Sequence, residues 1–213
     1  PGRFLDTQFK ENNRVFSSQH FFNTSLEYHF KHEDNKGFPT LGFEFSSKFG
    51  YTSNLKEKRD FSYNMTTIGF THKLISSGKI VFATKAMGHF IFNDEFEFYQ
   101  AANIGANNGL RSFRNERFNG KNAFFHSSDL RFNLSQFKTQ IVPLTFGIYT
   151  GFDYGMVWGT PESLVTIPNG RTYLNTSAGG GFFISAANQV AGRFGMFYGE
   201  DGARISINLG FNL

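Results

Sequence analysis

Apolar and polar residues alternate with period two along most of the chain, and stripes at helical spacing are hard to find. Over 22 to 31, Phe22, Thr24, Leu26, Tyr28 and Phe30 share one face, while Asn23, Ser25, Glu27, His29 and Lys31 share the other. That is the pattern of a strand with one wet face, because successive side chains point to opposite sides. Leu41, Phe43, Phe45, Phe49 and Tyr51 alternate likewise with Glu44, Ser46 and Lys48, and Ile80, Phe82, Phe90 and Phe92 oppose Lys85 and His89. Further strands are predicted over 60 to 75, 123 to 137, 141 to 158, 172 to 186, 189 to 199 and 203 to 213. In the last of these, Ile205, Ile207, Leu209, Phe211 and Leu213 face away from Arg204, Ser206, Asn208, Gly210 and Asn212.

Short turns are predicted at 32 to 37, 76 to 78, 138 to 140 and 187 to 188, and longer loops at 52 to 59, 93 to 122 and 159 to 171. Long alternating strands joined by turns that are short at one end and long at the other predict an all-β fold, a transmembrane antiparallel β-barrel. Strands of a soluble sandwich run nearer to about five or six residues. About eight to ten strands fall in this chain, with 3 to 10 a candidate for the tenth, and residues 1 to 213 form one barrel domain. Phenylalanine, 30 of 213 residues, supplies the lipid-facing band and the aromatic girdles of such a barrel. The mean hydropathy of -0.33 follows, since an inward polar face offsets an outward apolar one.

Cysteine is absent, which removes disulfides, thiolate metal sites and cysteine nucleophiles together. The net charge of +4 arises from 21 basic and 17 acidic residues scattered along the chain, so no basic stripe for nucleic acid is evident and no such partner is expected. No apolar run reaches the ~18 residues of a membrane helix. The start, Pro1 to Phe4, is neither a signal peptide nor an initiator Met, so the chain is expected to be processed or cut from something longer. His29 and His32, three apart on a strand, face opposite sides and cannot share a metal. His126, Ser127 and Ser128 lie outside any Gly-x-Ser-x-Gly turn. Gly179, Gly180 and Gly181 lack a phosphate loop's strand-to-helix context and fit a kink, a bulge or a close backbone approach. The expectation is no catalysis, no cofactor and no metal.

Candidate chemistry concentrates in the 93 to 122 loop and the two strands after it. The order is Gly105-Ala-Asn-Asn-Gly-Leu-Arg-Ser-Phe113, Arg117-Phe-Asn-Gly120, Asp129-Leu-Arg-Phe132, then Gly151-Phe-Asp-Tyr-Gly155 and Trp158. By alternation Thr145, Gly147, Tyr149, Gly151 and Asp153 share the small and polar inward face, and Asp129, Arg131, Asn133 and Ser135 share that of the preceding strand. Anions on adjacent strands form a dock for an arginine fork.

This order and spacing resemble the BamA-like superfamily of outer-membrane assembly factors and two-partner-secretion transporters, closest to Bacteroidetes-type barrels that follow a phosphoesterase domain. The resemblance runs from about residue 20 to the C-terminus. It implies that the 93 to 122 loop enters the barrel, that Arg111 and Phe113 form its core, and that Arg111 pairs with Asp153. Asp129 and Arg131 stand at the family's acidic-x-Arg-Phe strand, and Ser112 replaces the family glycine. Strand 203 to 213, with Arg204, Asn208, Gly210 and Phe211, resembles the outer-membrane β-signal, and implies a seam that parts to offer its edge to a client strand.

The implied location is the outer membrane of a Gram-negative bacterium, and the implied role is assisting insertion or translocation of proteins there. Outer-membrane lipids and client outer-membrane or secreted proteins are the expected partners. A passive pore or structural barrel is the alternative, and a soluble lipocalin-like barrel is disfavoured by its outward Phe. A barrel of about eight strands is filled by its own side chains. A thirty-residue inward loop therefore predicts a wider composite barrel, completed by an upstream segment or a second copy.

Overall fold

A computed structural model of the chain describes residues 20–36, 38–56, 59–93, 96, 98–138, 142–159, 174–186 and 190–211. Four long strands come first: β1 (Phe21–Glu33), β2 (Leu41–Asn54), β3 (Arg59–Lys73) and β4 (Ile80–Ile91). The loop after β4 holds two short strands, β5 (Ala102–Ile104) and β6 (Phe118–Gly120). Five more long strands follow: β7 (Asn122–Lys138), β8 (Pro143–Trp158), β9 (Asn175–Ala186), β10 (Val190–Gly199) and β11 (Gly202–Phe211). The nine long strands make one antiparallel sheet in chain order, and β5 pairs with β6. The fold is all-β; its described helical residues are 3-10 turns at Phe98–Gln100 and Ala106–Asn108.

The sheet is strongly curled. Phe38, in the turn between β1 and β2, stacks on Phe183 of β9 with ring centroids 4.2 Å apart. On a flat sheet β2 and β9 would lie five spacings apart, ~24 Å. The curl does not close the sheet: β1 pairs only with β2, and β11 only with β10, so both edges are unpaired among the described residues. Among the described residues the sheet therefore does not close into a barrel.

Alternation sorts the two faces. Phe22, Leu26, Phe43, Phe152, Phe182, Ile205, Ile207 and Leu209 are exposed on the convex face, and Phe82 is half-buried there. Glu44, Lys85, Arg111, Asp129, Arg131 and Arg193 line one cavity on the concave face. Glu27 lies on the same side, opposite Lys48 in register. The loop fills the concavity: Ala102, Ile104, Leu110 and Phe113 pack against Phe61, Met87, Ile91, Ala123 and Phe125 in the main apolar cluster.

Three expectations need correction. Connections are not uniformly long at one end, because β2 and β3 extend into the predicted 52 to 59 loop and leave only 55 to 58, shorter than the turn from 34 to 40 at the other end. The 93 to 122 loop, for which no strand is predicted, carries the β5–β6 hairpin. Ser135 does not share the face of Asp129, Arg131 and Asn133. A bulge between Asn133 and Ser135 sets Ser135 opposite Phe146, an outward position. The extra residue, Leu134, shifts the phase, so Phe137 pairs with Leu144 and is exposed on the apolar side. The glycine run at 179 to 181 causes no register shift against either neighbour. It serves close approach: a Cβ at Gly181 would fall 1.9 Å from the Phe194 carbonyl oxygen. The expected strand at 3 to 10 and the terminal residues Asn212 and Leu213 lie outside the described residues.

Candidate functional site: the docked loop

Tight local hydrogen bonding builds the tip of the loop. The amides of Asn108 and Leu110 donate to the Gly105 carbonyl, and that of Phe113 donates to the Leu110 carbonyl. Gly109 turns the chain with φ 96°, in the left-handed region, and a Cβ there would fall 2.0 Å from the Phe125 ring. Glycine answers both demands at once.

That turn delivers Arg111 to β7 and β8. Its backbone amide donates to Asp153 Oδ2 at 3.1 Å, its Nε to both Asp153 oxygens at 3.1 and 3.0 Å, and its Nη2 to Oδ1 at 2.6 Å. Its Nη1 donates to Asp129 Oδ1 at 2.6 Å. Asp153 is wholly sealed from solvent and also accepts from Ser127 Oγ at 2.7 Å. The Phe197 ring lies under the guanidinium, 3.9 Å from Cζ. Gly151 leaves the space for this fork, since a Cβ there would fall 2.3 Å from Arg111 Nη2. Burial works against the Arg111 charge, but hydrogen bonding to Asp153 and the charges of both aspartates outweigh it and raise its pKa above the ordinary value.

Phe113 is buried and meets Phe118 edge-on, with centroids 5.1 Å apart. Its carbonyl accepts from Arg204 Nη1 on β11. Between Arg111 and Phe113, the Ser112 amide donates to Ser177 Oγ on β9 at 3.0 Å. Glu116 is the one described non-glycine residue with positive φ, so the backbone at Ser112 is not in a glycine-only conformation. Serine is accommodated because Gly199 faces it, where a Cβ would fall 2.3 Å from Ser112 Oγ. Farther out, Arg117 Nε donates to Asp201 Oδ2 at 2.6 Å, tying the loop to the turn between β10 and β11.

The structure thus gathers Arg111, Phe113, Asp129 and Asp153, with Arg204 against the same loop. Arg131 lines the cavity beside them and makes no hydrogen bond to the described residues of the loop; its Cζ lies 5.4 Å from the Phe38 ring centroid. Asn208, Gly210 and Phe211 sit on β11 in register with Arg193, Ala191 and Val190. Ser127, Ser177, Arg193 and Phe197 were not anticipated. Alternation places each of them inward, so parity was the available signal. Phe38, in a turn, carries no such mark. Ser127 and His126 diverge: Ser127 bonds Asp153 inside, and His126 Nε2 bonds Thr84 Oγ1 at 2.7 Å on the other face.

The arrangement is a lock between a loop and a sheet, made of one buried cation and two carboxylates. Among the described residues no group of three His, Cys, Asp or Glu side chains could hold a metal. No protein family model matches the chain, and no curated protein matches it in sequence.

Proposed function

We propose that this chain is part of an outer-membrane β-barrel of the assembly-factor and transporter superfamily, which assists insertion or translocation of proteins at a Gram-negative outer membrane. The observation that carries the reading is the Arg111 lock, which holds a long loop inside the concave face at the residues the family resemblance singles out. In a barrel that face is the lumen. Supporting it, the convex face is apolar from β1 to β11. Three polar residues that interrupt that face, Ser47, Asn64 and Thr66, hydrogen-bond to one another, as contact with lipid requires. The shortest strands of the nine-stranded sheet, β10 and β11, have ten residues each, enough for a tilted crossing of about nine to eleven residues.

The two unpaired edges favour a composite barrel, completed by upstream strands or by a second copy. In an insertase the β11 edge would offer its free N–H and C=O groups to a client strand, so that new hydrogen bonds drive insertion. Arg204 couples this edge to the loop, because it belongs to β11 and donates to the Phe113 carbonyl. The test is insertion of a client barrel into liposomes containing the full-length protein, compared with Arg111→Ala. Loss of insertion with the barrel still heat-modifiable supports the reading. Equal insertion by both proteins, or stable conductance with no insertion by the wild type, overturns it.

A further inference from the structure

The cavity that meets the lock has a volume of 740 Å³ and is lined by residues from β1 to β11, among them Lys31, Lys85, Arg131 and Arg193. Most of its charges are matched. Lys31 holds Glu33 at 3.0 Å and Lys85 approaches Glu44 at 3.8 Å. Asp129 is shared, with Oδ1 on Arg111 and Oδ2 accepting from Arg193 Nη2 at 3.2 Å. Asp153 is engaged by Arg111. The central cluster therefore sets three guanidinium groups, of Arg111, Arg131 and Arg193, against two carboxylates, a surplus of 3 - 2 = 1 cation.

The surplus falls on Arg131. Its Nε and Nη1 are sealed from solvent and have no hydrogen-bond partner among the described residues. The Phe38 face lies 5.4 Å from Arg131 Cζ and 5.5 Å from Arg193 Cζ, a cation–π contact that offers no anionic charge. A buried charged donor left without an acceptor is strongly unfavourable, and native structures rarely keep one. Water could satisfy the donors but would leave the excess charge uncompensated. A bound anion does both.

We propose that Arg131, with Arg193 beside it, forms a binding site for a phosphate-type oxyanion on the concave face. Several cations converging on one cavity suit an acceptor with more than two oxygens, and guanidinium is the side chain best matched to phosphate. The cavity holds free phosphate or the phosphate of an anionic lipid headgroup equally well. This site does not rest on the insertase reading.

The experiment uses the full-length protein in a maltoside detergent at low ionic strength, titrated with inorganic phosphate against chloride at matched ionic strength. Calorimetry should show saturable phosphate binding, with a thermal stabilisation that chloride does not reproduce. Arg131→Gln should weaken binding by at least about tenfold, with heat-modifiability retained, because a charge-assisted hydrogen bond is lost. Acetate should compete less well than phosphate. Displacement of phosphate by phosphatidylglycerol in mixed micelles identifies the headgroup as the source, and failure to displace identifies the free ion. No response beyond chloride in the wild type, or undiminished binding in Arg131→Gln, overturns the proposal. Should Arg131→Gln fail to fold, the wild-type titration against chloride decides alone.

Discussion

Asp153 shows how much a single buried carboxylate organises. It accepts from the Arg111 amide and guanidinium and from Ser127, and it is sealed from solvent. Removing one member of such a pair strands the other, at a cost of about 3–5 kcal/mol. Arg111→Ala should therefore undock the loop while the nine-stranded ladder, which does not involve Arg111, stays paired. Protease cleavage within 105 to 117, with heat-modifiability unchanged, would register it; an uncleaved loop would count against the lock. Arg111→Lys should not rescue docking, because a point-like ammonium cannot span both aspartates as a fork does. On the opposite face Phe152 is exposed. If that face meets lipid, Phe152→Arg should cost about 2–4 kcal/mol, read from urea unfolding in bilayers. An unchanged midpoint would place it in water.

Elements obey alternation until something inserts a residue. Asp129, Arg131 and Asn133 read correctly as inward, but Ser135 does not, because the bulge after Asn133 turns the remainder of β7 by one phase. Nothing in the local pattern announces that slip; Phe137, exposed among apolar neighbours, shows what it accomplishes. The loop is an element in its own right and leans on β10, where Gly199 makes room for Ser112. Gly199→Ala would also press on the Thr176 carbonyl oxygen, 2.8 Å from the new Cβ, so it should loosen the loop and raise hydrogen exchange at Ser112. The pH dependence of the outer tie follows from Asp201, whose carboxyl is held below its ordinary 3.8 by the hydrogen bond from Arg117. A lowered folded value means the tie contributes fully above 3.8 and is lost as pH falls through that lowered value. Amide protection at 200 to 202 should then drop below about pH 4 in the wild type and show no such step in Asp201→Asn, with the loss under about 1 kcal/mol for so exposed a pair.

At the scale of the whole molecule, two edges of the curled nine-stranded sheet are unpaired among the described residues, which leaves their backbone hydrogen bonding unfinished there. The absence of cysteine makes cross-linking clean. Cysteines placed at His29 on β1 and Ser206 on β11 should give no bridge within one copy. They should bridge two copies if the barrel is a homodimer, and remain reduced if upstream strands intervene. An intramolecular bridge in high yield would mean that nine strands close on themselves.

Sequence alone determined the nine long strands, their facing except beyond the bulge in β7, and the inward parity of Asp129 and Asp153, because each follows from a period of two, which is local. Only the tertiary structure decided that Arg111 engages both aspartates through one fork, that Phe38 crosses the concavity to Phe183, and that Arg131 is left with donors unmet. Those outcomes depend on how far the sheet curls and where the bulge falls, which are sums over many strands that no short stretch of residues records.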